Sequence, residues 1–65
     1  MNQFKRARLV QGLTQGELAK ELGVSTVQIS KWENGKTFPS VKRLKRVAEA
    51  LHITVADLLE EERAV

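Results

Sequence analysis

The sequence predicts an all-α fold, a compact arrangement of five short helices. Three observations carry this. Apolar residues recur at three- and four-residue spacing, and period-two alternation is almost absent. Four of the apolar runs are preceded by a Ser or Thr able to cap a helix. Glycines stand just behind three of the runs, where a chain leaves a helix through left-handed backbone. The 65 residues read as one domain over 1–65, with an ordered helical core over about 3–60 and a tail over 61–65. A core of this size is marginal, so close helix packing or self-association is expected to supplement it.

The first helix is expected over residues 3–10, with Phe4 and Ala7 inward and Gly12 as its stop. The second starts at Thr14. Thr14 and Glu17 have capping-box spacing, so the hydroxyl accepts a backbone N–H while the carboxylate reaches back to the cap. Leu18, Ala19 and Leu22 form its inner stripe, and Gly23 ends it. The third follows Ser25, with Gln28 at the matching box position, and ends at Gly35. The fourth follows Ser40, and Val41, Leu44, Val47, Ala48 and Leu51 give the cleanest i, i+3, i+4, i+7 pattern in the chain. Thr54 and Asp57 mark the start of the fifth, whose apolar contacts are Val55, Leu58 and Leu59. Pro39 lies in "GKTFPS", the longest loop candidate.

Charge is unevenly spread. Residues 1–46 hold ten of the eleven Lys and Arg against Glu17, Glu21 and Glu33, a net of +7. Residues 47–65 hold Arg63 against five carboxylates, a net of −4. A basic front and an acidic back suit a polyanionic partner met on one side, although uneven charge is also common on surfaces that are merely solvated. With no cysteine, disulfides and Cys-based zinc sites are excluded, which suits a reducing cytosol. No apolar run approaches the ~18 residues of a spanning helix, and the basic N-terminus is followed by no apolar signal segment. A cytoplasmic location is therefore expected, with no membrane partner.

The second and third helices are joined by "LGVS", a turn short enough to hold them at a steep angle. Ala19 is small enough to let them cross closely, and Val24 and Ile29 point back to seal the corner. Each feature alone is common; together over residues 15–34 they specify a helix-turn-helix. On the third helix Ile29 and Trp32 fall inward, while Thr26, Val27, Ser30 and Lys31 share an outer stripe. Were that helix to enter a major groove by its N-terminal end, Lys31 would donate to guanine, and Val27 and the Thr26 methyl would pack on a thymine methyl. Ser30 would discriminate weakly, and Gln28 would be a side contact or only a cap.

The stretch "LTQGELAKELGVSTVQISKWENGKTFPS" resembles the DNA-binding domains of the phage repressor and Cro family of bacterial regulators, the xenobiotic-response-element type. The resemblance runs from Phe4 to about Leu59. It implies a five-helix lambda-repressor-like fold in which the third helix reads bases, with Thr26, Val27 and Lys31 on its usual reading positions. It implies that Gln15 clamps a backbone phosphate at the N-terminus of the second helix, where unpaired N–H groups favour an anion. It implies further backbone contacts from Asn34, Lys36 and Thr37, and a structural salt bridge between Arg8 and Glu33, with Arg8 near enough to the DNA backbone to serve both. Lys42, Arg43 and Lys45 or Arg46, near the start of the fourth helix, stand as further phosphate candidates.

Other side chains weigh less. Trp32 would stack on bases in a single-strand binder, but its inward position makes core packing the better reading. His52 has no metal-ligand partner at useful spacing and reads as a helix-end or surface residue. The run Glu60 to Glu62 reads as a solvated, frayed end. Two of the three serines are caps, no nucleophile has a base beside it, and "ENGKTFPS" lacks phosphate-loop spacing, so no catalysis, cofactor, metal or small-molecule ligand is expected. The expected partner is double-stranded DNA, bound sequence-specifically by a transcriptional regulator, a repressor or controller acting as a homodimer on a palindromic operator. Val55, Leu58 and Leu59, with the tail through Val65, are the candidates for the dimer interface. The alternative is a protein-interaction or antitoxin-type module of the same fold, with DNA binding secondary.

Overall fold

The computed structural model describes residues 3–63, with side chains described as far as residue 59. Its five helices follow the apolar periodicity: α1 (Gln3–Val10), α2 (Gln15–Leu22), α3 (Thr26–Glu33), α4 (Val41–Leu51) and α5 (Val55–Arg63). Helix α5 therefore continues past residue 60, through the stretch expected as frayed tail. Residues 64 and 65 of that tail lie outside the described residues, as do the side chains of Glu60–Arg63.

Four start signals act as their chemistry predicts. The Thr14 hydroxyl accepts the Glu17 N–H at 3.0 Å, and the Glu17 carboxylate accepts the Thr14 N–H at 2.9 Å. Thr54 and Asp57 form the same reciprocal pair ahead of α5, at 3.1 Å in both directions. Ser25 and Ser40 accept the N–H groups of Gln28 and Arg43. Each cap satisfies a donor that a helix start otherwise leaves without a partner.

Helix α2 ends where Gly23 turns left-handed at φ 70°. The Gly23 N–H then reaches the Lys20 carbonyl and the Val24 N–H reaches that of Ala19, at 3.3 and 3.0 Å. This double closure redirects the chain within two residues and sets α3 across α2. Helix α4 ends the same way, but with His52 in the left-handed position, at φ 58°. His52 is exposed at that helix end, as the sequence suggests.

The core lies where α1, α2, α3, α4 and α5 converge. Leu18, Ile29, Val47, Leu51 and Leu58 are wholly buried at its centre. Trp32 is buried among them, its ring 6.1 Å from that of Phe4. Phe38, from the α3–α4 loop, sets its ring edge-on to Phe4 at 6.0 Å and pins that loop to the core. Helix α1 packs against α3, α4 and α5, and α2 against α3 and α4.

Two expectations need correction. Val41, placed by periodicity on the inner stripe of α4, is 82% exposed. It occupies the first position after the Ser40 cap, beyond the reach of the helices that cover Leu44 and Val47. Leu58, expected among the interface residues, is 0% exposed in the core and has no surface left for a second copy. Among the described residues no helix is long and apolar enough to cross a membrane.

Candidate nucleic-acid interface

The site is built on the division of α3 into two faces. Ile29 and Trp32 are 1% and 3% exposed and hold the helix to the core. Thr26, Val27 and Lys31 are exposed on the opposite side, and Ser30 beside them is half-buried. Val27 is 63% exposed, an apolar side chain standing in water on a helix whose other large apolar residues are inside. The structure thus brings the four stripe residues together on one open surface.

The end of α3 is fixed by a buried ionic cluster. Arg8 Nε donates to Glu33 Oε2 at 2.6 Å, Nη2 donates to Oε1 at 3.3 Å, and Nη1 donates to the Leu13 carbonyl at 2.7 Å. Both residues are buried, Arg8 to 6% and Glu33 to 8% exposure. The pair predicted from the resemblance is therefore present. Burial and three internal bonds commit three of the five guanidinium N–H groups of Arg8 to the fold. Gln15 joins the same cluster: its Nε2 donates to Glu33 Oε1 at 3.0 Å. The carboxylate thus ties α1, the start of α2 and the end of α3 together. Its charge is matched by a forked guanidinium, the geometry in which burial of an ion pair is tolerated best.

Four polar residues predicted to meet nucleic acid are bonded to one another in pairs. Gln28, half-buried at the flank of the stripe, sends its Nε2 to Thr37 Oγ1 at 3.2 Å. It does not return to the Ser25 backbone, so only half of the expected capping box forms at α3. Asn34 donates from Nδ2 to Ser30 Oγ at 3.2 Å. Lys36, Thr37, Lys42 and Arg43 are exposed along the loop and the first turn of α4. Arg46, about one turn along, bonds the Glu21 carbonyl at 3.3 Å and is thereby directed toward α2. Between α3 and α4 lies an open groove of about 310 Å³, lined among others by Ser25, Gln28, Ser40 and Arg43. Among the described residues no group of three or more His, Cys, Asp or Glu is placed to hold a metal.

Phe38 and Pro39, to which the sequence pattern assigns no role, both position the loop beside α3. The Phe38 ring and the buried Pro39 anchor the loop that carries Lys36 and Thr37. The available signal was an aromatic residue in an otherwise polar loop.

The family profile described as helix-turn-helix matches residues 4–58, which takes in nearly all of α1 through the first turn of α5. The chain belongs to the helix-turn-helix family of phage repressor and Cro-type regulators. Among its relatives, the transcriptional activator BcrR of Enterococcus faecalis is 37% identical over 62 residues, covering 95% of this chain and 30% of that protein. The transcriptional repressor RstR of the cryptic phage CTXphi, from Vibrio cholerae, is 36% identical over 69% of this chain and 40% of the relative. An uncharacterized helix-turn-helix regulator of Methanocaldococcus jannaschii, MJ0272, is 39% identical over 88% of this chain and 86% of its own length. The helix-turn-helix chain thus spans well under half of the first two and most of the third. No solved structure matches it significantly.

Proposed function

We propose that this helix-turn-helix chain binds double-stranded DNA sequence-specifically and regulates transcription in the cytosol, as a repressor or controller, with α3 inserted in the major groove. The observation that carries this reading is the division of α3: every anchoring contact lies on one face, and Thr26, Val27, Ser30 and Lys31 stand on the other. Lys31 donates to guanine, and Val27 and Thr26 offer methyl groups to thymine. The exposed Lys36, Thr37, Lys42 and Arg43 lie to the side and hold phosphates. Glu33 fixes Gln15 through one amide hydrogen and leaves the second for a phosphate at the start of α2. That the relatives include both a transcriptional activator and a transcriptional repressor supports regulation without fixing its sign.

A helix of eight residues reads only a few base pairs, so useful affinity calls for two copies on a palindromic operator, with reading helices about 34 Å apart. With Leu58 inside, the interface falls to the half-buried Val55 and Leu59 on α5. The test is selection of bound duplexes from a random pool. The expected product is a symmetric motif whose half-sites lie about one helical turn apart; recovery without any enriched motif would overturn the reading.

A further inference from the structure

Resting on that groove reading, we propose that Thr37 sets the base preference of α3 by holding Gln28 off the reading face. Gln28 carries the only amide on α3 itself, and the next, Asn34, caps its end. An amide side chain is the natural reader of adenine, because it accepts from N6 and donates to N7 together. Both amides are engaged within the protein here. Gln28 Nε2 is bonded to Thr37 Oγ1, and Asn34 Nδ2 to Ser30 Oγ, each at 3.2 Å.

What remains on the open stripe is one ammonium, two small hydroxyls and two methyl-bearing side chains. A lysine ammonium donates and never accepts, and one lone pair of the Ser30 hydroxyl is already taken by Asn34. Such a face favours guanine O6 and N7 and the thymine methyl, and it offers adenine no bidentate partner. The pinned glutamine lies three residues before Lys31, its neighbour across about one turn, and its amide is held by the loop that carries Thr37. Release of its amide would place an adenine reader next to Lys31. Thr37 is thus a positioning residue for specificity, acting through Gln28.

The experiment compares motifs selected from a random duplex pool by the wild-type chain, Thr37→Val, Thr37→Ser and the double variant Thr37→Val/Gln28→Ala. Valine keeps the shape of threonine and removes the acceptor. A neutral hydrogen bond of this kind shifts a side-chain population by about threefold to tenfold. Thr37→Val is expected to gain adenine enrichment of that size at one base position per half-site. Thr37→Ser keeps the acceptor and is expected to retain the wild-type motif. The double variant is expected to lose the gain. A Thr37→Val motif identical to wild type, or a gain that persists without Gln28, overturns the proposal while the groove reading stands. Failure of the wild-type chain to enrich any motif overturns both.

Discussion

Lys31 is the side chain on which the reading face depends most, because it supplies that face's only formal charge. Lys31→Ala is expected to cost about 1–3 kcal/mol on the preferred sequence and to relax the preference at one base position, as measured by titration against matched and mismatched duplexes. Glu33 acts on the other side of the same helix. Glu33→Ala would leave the Arg8 guanidinium buried with no counter-charge, at a cost of about 3–5 kcal/mol in urea unfolding. Against a total stability of about 3–10 kcal/mol for a domain this size, that loss approaches global unfolding. His52 points the other way. It holds left-handed backbone that costs a residue with a β-carbon about 1 kcal/mol, so His52→Gly is expected to raise the melting temperature. The charged pair and the strained histidine differ in how well the sequence foretold them. Arg8 and Glu33 are 25 positions apart, and only the resemblance joined them. Nothing in local spacing marks residue 52 as left-handed, because a helix that closes this way ordinarily does so on glycine.

At the scale of elements, the helix starts were the most legible feature, because a cap and its partner lie three residues apart in the chain. The capping box of α2 also makes stability depend on pH. The Thr14 N–H held against its carboxylate, and then the Thr14 hydroxyl, keep the Glu17 pKa below its ordinary 4.5. Its folded value is depressed, so its contribution is present above 4.5 and is lost as pH falls through the lower folded value. Denaturant midpoints are therefore expected to fall on acidification below about 4.5; Glu17→Gln, which removes the titrating group, is expected to flatten that fall, while Thr14→Ala keeps the backbone N–H to Glu17 and is expected to cost about 1 kcal/mol at neutral pH. The start of α4 was read less well. Periodicity assigns Val41 inward, but periodicity reports angle and not whether a neighbour stands there. The groove between α3 and α4 was likewise illegible, since its lining comes from three separate segments.

For the whole molecule, the basic front predicts a steep fall of DNA affinity with salt. Each phosphate contact contributes about 0.9 to the slope of log K against log salt. Lys36→Ala and Lys42→Ala are each expected to weaken all sequences alike and to reduce the slope by about 1 per contact removed. Charge distribution and fold class were readable because both are sums over many residues; the loop anchor at Phe38 depends on one ring meeting another across the chain and was not. The two-faced α3 has a consequence for how such a molecule changes over time. The residues that hold the bundle together and those proposed to address its target do not overlap on that helix. Random drift can rewrite the outward letters without the interior registering it, so a descendant is free to change allegiance long before it loses its shape.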